Sequence, residues 1–461
     1  MGKLFGTDGI RGIAGKNLDA GIAYRLGLAV SEVLIDNSQT GRPKVLIGMD
    51  TRWSGDMFES AIAAGLCAMG SDVILLGVVP TPAVAFLVKK LNADAGIMIS
   101  ASHNPAEYNG IKVFNGNGFK LSDELEARVE EIILGDTELD LQTGSDIGRI
   151  YDERSYVGMY IMHVSEVLEK EKNPECSEGR RVLFDLSNGS ASVTAKKIFS
   201  CGCAGGFSFD FLADTPNGIN INENCGSTHM NRLADEVAEG GYDIGIAFDG
   251  DADRCLVIDE KGKLVNGDQI IAAFADDMMK SGSLRANAAV VTSMTNLGFH
   301  LMAKERGMTV RVTDVGDRYV LEEMLRGDFN LGGEQSGHII LTDYATTGDG
   351  QITAAKILAL MSKYPEKTAS EIFSCMVNMP QVSINVKTPN RLKKKIIADA
   401  DVADKVREIE EKLEGRGRII LRPSGTEELV RVMLEGEDQD QIKKMGAELA
   451  RVIEERICGL L

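Results

Sequence analysis

The chain has 461 residues, with 69 acidic and 50 basic side chains, so its formal net charge is −19. A chain of this length predicts about three or four domains of roughly 100–150 residues each. The negative charge argues against a nucleic acid or an anionic membrane as partner, because both are polyanions, but it allows a small anionic substrate in a local basic pocket. Eight scattered cysteines, with no signal-peptide pattern and no long apolar segment, predict a cytoplasmic location.

Up to about residue 370, short apolar segments alternate with longer segments of helical periodicity. The predicted strands are Lys44–Met49, Val73–Gly77, Ala95–Ser100, Arg181–Leu186, Phe207–Leu212, Tyr242–Phe248, Ala288–Thr292 and Thr309–Thr313. The predicted helices include Ala20–Leu34, Gly55–Met69, Thr228–Glu239, Gln269–Lys280 and Arg318–Leu325. Beyond this region the pattern predicts strands at Gln381–Lys387, Arg418–Leu421 and Leu429–Leu434, and helices at Arg391–Glu414 and Asp440–Ile457.

This pattern predicts an α/β protein with three related α/β domains, whose mixed sheets are largely parallel, and a smaller C-terminal α+β domain around a central cleft. The expected domains are 1–150, 151–255, 256–372 and 373–461. Each of the first three contains one polar, glycine-rich loop: ASHNP, DGDADR and GGEQSGH. Ligands of open α/β sheets bind beyond the carboxyl ends of the strands, so we expect the three loops to face one cleft.

The DGDADR loop is the most informative segment. Asp249, Asp251 and Asp253 follow a predicted strand at alternate positions, and their carboxylates stay ionised together at low cost only beside a cation. Ligation by oxygen alone favours Mg²⁺, Mn²⁺ or Ca²⁺ over zinc. An EF-hand is rejected because its sixth position, which requires glycine, is Arg254, and because strands flank the loop. A solvated acidic turn is the remaining alternative.

The ASHNP loop presents Ser102 at the end of a buried strand, in a turn closed by Asn104 and Pro105. Most serines in such places are turn or capping residues. Beside a site with three aspartates, however, Ser102 is a candidate carrier of a phosphoryl group, whose charge a divalent cation would screen. His103 need not act as its base, because neighbouring side chains can point apart. Lys112 is close enough in sequence to neutralise charge or to move a proton.

Two further loops carry polar side chains suited to a sugar phosphate. RPSGTEE offers the Arg422 guanidinium, the hydroxyls of Ser424 and Thr426, and the exposed backbone of Gly425, which together favour anion binding over a plain turn. In GGEQSGH, Glu334, Ser336 and His338 alternate, so in an extended conformation they would share one face and could read sugar hydroxyls. The segment TTGDG follows shortly afterwards. Neither a Walker sequence nor a dinucleotide fingerprint occurs.

These loops closely resemble those of the α-D-phosphohexomutases. FGTDGIRG, ISASHNP, FDGDADR, GEQSGH and RPSGTE occur in the order of that family, and the resemblance covers nearly the whole chain. Within the family, GEQSGH, Thr313–Val320 and Asn220–His229 resemble the bacterial branch that acts on glucosamine phosphates. One departure, Glu107-Tyr108-Asn109, is similar to the branch that acts on mannose phosphate.

The resemblance implies a role for residues in every loop. Those with implied catalytic roles are Ser102 as the phosphoserine, Lys112 and His338 as proton-transfer candidates, and Arg254 and Arg11 as supports of the phosphoserine region. The implied metal ligands are Ser102, Asp249, Asp251 and Asp253, with one Mg²⁺ per chain. The implied sugar-binding residues are Glu334, Ser336 and His338. The implied phosphate-binding residues are Arg422, Ser424, Gly425 and Thr426.

The implied reaction is an isomerisation between glucosamine 6-phosphate and glucosamine 1-phosphate through a phosphoserine enzyme. Glucosamine 1,6-bisphosphate would be the intermediate and activator, and the alternative within the family is the corresponding mannose or glucose phosphate. Outside the family, the sequence leaves open a metal-dependent phosphatase and a sugar-phosphate-binding protein without activity. The expected partner is a small sugar phosphate, with no nucleic acid or membrane, and a homodimer is left open.

Overall fold

The computed structural model describes residues 4–6, 9–35, 42–135, 137–173, 179–200, 206–424 and 427–460. The chain divides into two compact units. Unit 1 comprises Met1–Met294 and Met308–Cys375, and unit 2 comprises Thr295–Gly307 and Met376–Leu461. Among the described residues, no helix combines the length and the apolar character needed to cross a bilayer.

The first sheet of unit 1 has seven strands. They are β1 (Phe5–Gly6), β2 (Gly9–Ile13), β3 (Lys44–Met49), β4 (Asp72–Val78), β5 (Ala95–Ile99), β6 (Tyr108–Asn115) and β7 (Ile150–Asp152), in the order β1-β2-β6-β5-β3-β4-β7. The accompanying helices are α1 (Ala20–Ile35), α2 (Gly55–Ala68), α3 (Thr81–Lys90) and α4 (Asp123–Leu134). Strands β3 and β5 are buried on both faces, which explains their continuous apolar sequences.

Two smaller sheets complete unit 1. The second contains β8 (Arg180–Asp185), β9 (Phe207–Leu212), β10 (Ile244–Phe248), β11 (Cys255–Asp259) and β12 (Leu264–Val265), in the order β12-β11-β10-β8-β9. The third contains β13 (Ala288–Thr292), β14 (Thr309–Thr313), β15 (Gly332–Gly333) and β16 (Ile339–Ile340), in the order β14-β13-β15-β16. The helices of this part of the chain are α5 (Val157–Glu171), α6 (Ala191–Phe199), α7 (Asn231–Gly240), α8 (Gly267–Lys280), α9 (Leu297–Arg306, in unit 2), α10 (Asp317–Gly327), α11 (Gly350–Lys363) and α12 (Ala369–Ile372).

The three sheets share one arrangement of four strands: β6-β5-β3-β4, β11-β10-β8-β9 and β16-β15-β13-β14. In each, the last three strands of this order are parallel, and the first pairs antiparallel with its neighbour as a hairpin. The hairpin loops are residues 100–107, 249–254 and 334–338. These loops carry ASHNP, DGDADR and GEQSGH, so the three polar loops occupy equivalent positions in three related sheets.

Unit 2 contains an antiparallel sheet of β17 (Gln381–Lys387), β18 (Gly417–Pro423) and β19 (Leu429–Gly436), with β19 in the centre. Its other helices are α13 (Lys393–Ile397), α14 (Ala400–Leu413) and α15 (Gln439–Leu460). The continuous helix expected over Arg391–Glu414 is wrong, because α13 ends before Asp399, whose side chain caps α14 by accepting from the Asp401 N–H. Aspartate favours such caps over helix interiors.

Candidate active site

The three aspartates of the 249–254 hairpin form a compact, buried cluster. Asp249, Asp251 and Asp253 each offer a carboxylate oxygen within 4.8 Å of the others. Ala252, between them, has a positive φ of 56°, which tightens the turn. Two oxygens, Asp251 Oδ1 and Asp253 Oδ1, are buried and have no hydrogen-bond partner among the described residues. A buried carboxylate oxygen without a donor is costly unless a cation meets it.

Ser102 lies against this cluster. Its hydroxyl donates to Asp249 Oδ2 at 2.5 Å, its side chain is almost completely buried, and its φ is 51°. His103 is also in contact, because its Nδ1 lies 3.3 Å from Ser102 Oγ. Burial and the nearby charges of Arg254 and Arg11 lower the pKa of His103 to about 4, so its ring is neutral at pH 7. The shorter contact of the Ser102 hydroxyl is with the carboxylate of Asp249, which is 147 residues away in sequence.

Lys112 neutralises part of the aspartate cluster from strand β6. Its Nζ donates to Asp251 Oδ2 at 2.8 Å and to Asp253 Oδ2 at 3.1 Å, and its side chain is buried. Thr81, the first residue of α3, donates its hydroxyl to the same Asp251 oxygen at 2.5 Å. The Thr81 contact has no local signal in the sequence. The sequence analysis expected Lys112 to neutralise charge or to move a proton, and its two contacts with the aspartates favour the first of these roles.

The electrostatics of the cluster are unequal. Burial raises the pKa of Asp249 well above its ordinary value, and the charges of Asp253 and Asp251 raise it further. Burial also acts to raise the pKa of Asp253, but Lys112 and His338 outweigh it and hold that pKa well below the ordinary range. The three carboxylates thus face Lys112 and the charge of Arg254, with His338 beside Asp253. Hard oxygen donors with excess negative charge suit Mg²⁺ rather than zinc, so the residues present fit a divalent cation of that type.

Arg52 anchors the Ser102 loop, and the sequence analysis did not single it out as a functional residue. This buried guanidinium pairs with Asp50 at 2.9 Å and donates to the carbonyl oxygens of Ser102 at 2.9 Å and Asn104 at 2.8 Å. It also donates to the carbonyl of Tyr108 at 3.0 Å. Five donors in a planar fork allow one arginine to hold several carbonyls of a turn at once. The local signal for it is a charged MDTR segment directly after β3.

Two more side chains from distant segments support the same loop. Asn222 Nδ2 donates to the carbonyl oxygens of Ser102 at 2.9 Å and Asn104 at 3.1 Å. Arg11 Nη1 donates to Asn104 Oδ1 at 3.0 Å. Arg254 contacts the aspartates instead: its backbone N–H donates to Asp249 Oδ1 at 3.2 Å. Arg11 and Arg254 therefore both lie beside the Ser102 region, where the resemblance placed them.

The third hairpin loop brings His338 to the cluster. Its Nδ1 lies 3.7 Å from Asp253 Oδ1, and its Nε2 lies 3.5 Å from Asp317 Oδ2. Burial acts to lower the pKa of His338, but the hydrogen bond and charge of Asp253 and the charge of Asp317 raise it overall. The extended conformation expected for residues 334–338 is wrong: the Gly337 N–H donates to the Glu334 carbonyl in a hairpin turn.

Within this turn, Glu334 and His338 both reach the start of α10, at Gly316 and Asp317 respectively. Glu334 Oε1 accepts from the Gly316 N–H at 3.0 Å, at the start of α10. Ser336 Oγ is buried and has no hydrogen-bond partner among the described residues, so it is open to a ligand hydroxyl. The two-residue period applies to an extended strand and does not describe this segment, because the chain turns at Gly337, whose φ is 89°.

In unit 2, the RPSGTE loop lies beside two arginines, one of which, Arg431, is paired with Glu427 at 2.8 Å. Arg422 on β18 lies directly opposite Arg431 on β19, and burial together with the charge of Arg431 lowers the pKa of Arg422. Like charges opposite each other destabilise a sheet unless an anion lies between them. Gly425 and Thr426, predicted to join the phosphate site, lie outside the described residues.

Lys393 of α13 holds the same loop from its inner side. Its Nζ donates to the carbonyl oxygen of Ser424 at 2.7 Å and also to that of Glu427. Ser424 is nearly buried, and its Oγ accepts from the Glu427 N–H at 3.2 Å. Lys393 was not identified from the sequence, where it is one of three consecutive lysines at the start of a helix.

Comparison with known families now gives this geometry a context. Models described as phosphoglucomutase/phosphomannomutase alpha/beta/alpha domains I, II and III match residues 2–140, 159–262 and 266–379, and the C-terminal domain of the same family matches residues 384–452. The chain belongs to this family. A phosphoglucosamine mutase of Clostridium kluyveri is 49% identical over 459 residues, covering 99% of this chain and 100% of the relative.

Solved structures of the family share the fold. A phosphoglucomutase/phosphomannomutase family protein from Burkholderia thailandensis superposes with a TM-score of 0.80 at 22% identity, covering 97% of this chain and 96% of the other. An Aspergillus fumigatus N-acetylphosphoglucosamine mutase, solved in complex with GlcNAc-6P and magnesium, superposes with a TM-score of 0.68 at 17% identity, covering 99% and 96%. A structure of that fungal enzyme with glucose 1,6-bisphosphate also matches, with a TM-score of 0.64 at 16% identity.

The family, the α/β architecture with a smaller C-terminal domain, and the enzyme class, an isomerase of the phosphohexomutase type, are therefore confirmed. The domain bounds at 150, 255 and 372 and the roles of individual residues stay predictions.

Proposed function

We propose that this phosphohexomutase interconverts glucosamine 6-phosphate and glucosamine 1-phosphate through a phosphoserine at Ser102. The observation that carries the proposal is the contact between the Ser102 hydroxyl and Asp249 Oδ2, at 2.5 Å, beside a buried cluster of three carboxylates. Full-length relatives named phosphoglucosamine mutase support the choice of sugar. The chemistry is phosphoryl transfer, in which positioning and charge stabilisation supply most of the rate.

One Mg²⁺ per chain is part of this proposal. Asp249, Asp251 and Asp253, together with an oxygen of phosphorylated Ser102, would hold it, and the two unpartnered carboxylate oxygens support this assignment. When bound, the ion supplies positive charge to the oxygens of the transferring phosphoryl group. The magnesium in the fungal enzyme is a property of that protein and lends the choice of ion its context.

The residues around Ser102 suit a reversible transfer. In the first half-reaction, the phosphoryl group leaves Ser102 Oγ for the free sugar hydroxyl, giving a 1,6-bisphosphate; the sugar hydroxyl loses a proton and Ser102 Oγ gains one. In the second, the other phosphate returns to Ser102 Oγ; Ser102 loses its proton and the sugar oxygen left behind gains one. Asp249 Oδ2 is the proposed acceptor of the Ser102 proton, because it already accepts the Ser102 hydrogen bond. Arg52 fixes the nucleophile throughout.

Two groups of residues are proposed to hold the ends of the substrate. Glu334 and Ser336 would bind sugar hydroxyls, and the unpartnered Ser336 Oγ supports this role. Arg422 and Ser424 would bind the phosphate that does not react, supported by the cross-strand arginine pair. The cytoplasmic location, the sugar-phosphate partner and the role of a 1,6-bisphosphate as activator are part of the same proposal.

The test is a turnover assay primed with a sugar 1,6-bisphosphate. We expect conversion of glucosamine 6-phosphate to glucosamine 1-phosphate, with a higher kcat/KM than for mannose or glucose 6-phosphate. Ser102→Ala is expected to lower turnover by at least about a thousandfold, because no other group carries the phosphoryl. Ser155→Ala, at an exposed serine, is the matched control. Full activity of Ser102→Ala, or a preference for mannose phosphate, would reject the nucleophile or the sugar, respectively.

A further inference from the structure

The TTGDG segment is not used by the proposed reaction, yet it contacts two of the three hairpin loops. Its last three residues, Gly348–Gly350, are called here the GDG segment, and they directly precede or begin α11. All three backbone N–H groups of this segment are donors. Gly348 donates to His338 Nε2 at 3.1 Å, Asp349 to the Ile339 carbonyl at 3.2 Å, and Gly350 to the Ala252 carbonyl at 3.0 Å.

Only glycine fits at either end of the GDG segment. A Cβ at Gly348 would lie 2.5 Å from Cε1 and Nε2 of the His338 ring. A Cβ at Gly350 would lie 2.4 Å from the carbonyl oxygen of Arg254 and 2.9 Å from that of Ala252. The backbone thus approaches the imidazole on one side and the aspartate loop on the other at distances that a side chain does not allow.

Asp349 holds the segment in place between the two glycines. Its buried carboxylate accepts from the N–H groups of Gln351 and Ile352, each at 2.9 Å, and so caps α11. The Tyr160 hydroxyl donates to both of its oxygens, at 2.9 and 3.0 Å. Helix α11 and Tyr160 of α5 therefore fix the positions from which Gly348 and Gly350 donate.

The contact with Gly348 decides which nitrogen of His338 carries the proton. A ring nitrogen that accepts from a backbone N–H has its lone pair engaged, so the proton of the neutral imidazole is on the other nitrogen. Here Nε2 accepts and Nδ1 faces Asp253 Oδ1 at 3.7 Å. Asp317 also lies 3.5 Å from Nε2, but its near oxygen is paired with Lys120 Nζ at 2.7 Å.

We propose that the GDG segment is a positioning element of the active centre. Gly348 holds the His338 ring with Nε2 engaged by its N–H and with Nδ1 turned toward Asp253. Gly350 holds the loop of the three aspartates. His338 is then a positioning residue for Asp253 rather than a proton-transfer group. The consequence for turnover rests on the proposed function, whereas the tautomer and the loop contact do not.

The first test reads the tautomer in the resting wild-type protein. Histidine labelled with ¹⁵N is followed in long-range ¹H–¹⁵N spectra with the rings neutral, and His338→Asn assigns the signal by its loss. We expect Nδ1 of His338 to be protonated and Nε2 to be unprotonated. A proton on Nε2 would overturn the proposal, because Gly348 would then face another donor. No variant has to fold for this result beyond the one used for assignment.

The second test compares His338→Asn with His338→Gln. The asparagine amide nitrogen occupies nearly the position of Nδ1, whereas the glutamine amide reaches toward the position of Nε2. We expect His338→Asn to retain kcat within about tenfold of wild type and His338→Gln to lose about a hundredfold or more, with KM little changed in both. Equal losses of kcat in the two variants would indicate that the imidazole itself transfers the proton and would overturn the proposal.

The third test addresses the aspartate loop. Mg²⁺ binding is measured by calorimetry without any sugar phosphate, alongside the melting temperature. We expect Gly350→Ala to bind Mg²⁺ about tenfold or more weakly than wild type, because its Cβ displaces the loop. Gly158→Ala, an exposed glycine of α5 with nothing within 4 Å of the added Cβ, is the control and should bind normally. Wild-type affinity in Gly350→Ala would overturn the proposal.

The three readouts separate this inference from the proposed function. A wild-type protein without mutase turnover but with the expected tautomer and Mg²⁺ affinities would reject the function and keep the positioning element. Normal turnover together with a proton on Nε2 of His338 would keep the proposed function and reject the positioning element.

Discussion

The aspartate loop of unit 1 and the RPSGTE loop of unit 2 both carry charged side chains, but these side chains lie in different surroundings. Asp249, Asp251 and Asp253 are buried, and Lys112 donates directly to two of them. Arg422 and Arg431 lie opposite each other on two strands and are only partly buried. The first loop therefore favours a cation that stays in place, whereas the second favours an anion that can enter and leave.

This difference follows from the cost of desolvation. A buried charge needs a partner at all times, whereas a partly exposed charge remains hydrated when no ligand is bound. The two loops are also supported differently. The Ser102 loop beside the aspartates is held by Arg52 and Asn222 through its carbonyl oxygens, and the RPSGTE loop is held by Lys393 through Ser424 and Glu427. In both, a buried polar side chain fixes the backbone and leaves the functional groups free to meet a ligand.

The largest expected effect is at the aspartate loop, which is the buried one of the two. Asp253→Asn should abolish measurable Mg²⁺ binding and lower turnover by at least about a thousandfold, since it removes one of the three carboxylates proposed to hold the cation and a partner of Lys112. Removal of Mg²⁺ from the wild type with a chelator should reproduce the loss and reverse on addition of the ion. Asp235→Asn on the exposed face of α7 is the control. Retained Mg²⁺ affinity in Asp253→Asn would show that the cluster is not the cation site.

Arg52→Lys tests the support of the Ser102 loop. The lysine keeps the charge beside Asp50 but cannot donate to several carbonyls at once, so we expect kcat to fall about a hundredfold and unfolding to become easier by about 3 kcal/mol. Thermal and urea denaturation, with steady-state kinetics, measure both effects. A variant with normal stability and activity would mean that the loop needs no such anchor.

Arg422→Gln tests the RPSGTE loop, whose arginine is only partly buried. Because the phosphate held there is bound equally in the ground state and the transition state, we expect KM to rise about tenfold to a hundredfold, with kcat changed only a few-fold and Mg²⁺ affinity unchanged. Arg416→Gln, at an exposed arginine paired with Glu414 and Glu437, serves as the control. An unchanged KM in Arg422→Gln would remove this residue from the phosphate site.

The smallest expected effect concerns a carboxylate that lies outside both loops. Burial raises the pKa of Glu126 to about 7, above its ordinary value of 4.5, although Arg318 opposes the shift. The folded state therefore binds this proton more tightly, so its contribution to stability is full at low pH and is lost as the pH rises from about 4.5 to about 7. Glu126→Gln should reduce the loss of stability over that pH window by on the order of 1 kcal/mol. The measurement is the melting temperature as a function of pH, whose decline should be less steep in the variant. An identical pH profile in the variant would contradict the shifted pKa.

Every predicted strand lies on an observed one with bounds that differ by at most two residues, but the antiparallel strands β6, β11 and β16 of the three hairpins were not predicted. Buried parallel strands are continuous apolar runs, and such runs are a strong signal. Helix α3 was missed because Pro80 and Pro82 interrupt its apolar sequence. In the structure these prolines precede or lie within the first turn, where a missing N–H costs little.

The site was predictable only where a single segment carries the chemistry. The aspartates and Ser102 stand in short motifs, so their contact could be expected. Arg52, Asn222 and Thr81 act through contacts between segments far apart in the chain, and apart from the charged segment that contains Arg52, no local pattern marks them as functional. The bend at Gly337 was missed for a related reason, because a two-residue period describes a strand and not the turn that joins two strands.

The equivalent hairpins of the three sheets have a consequence for how this enzyme can be divided. The hairpin of the first sheet carries Ser102, that of the second the three aspartates and that of the third His338, each at the equivalent position of its sheet. If these residues act as proposed, one sheet with its helices would hold only part of the active centre. Turnover would then require the hairpins of all three sheets to be present together.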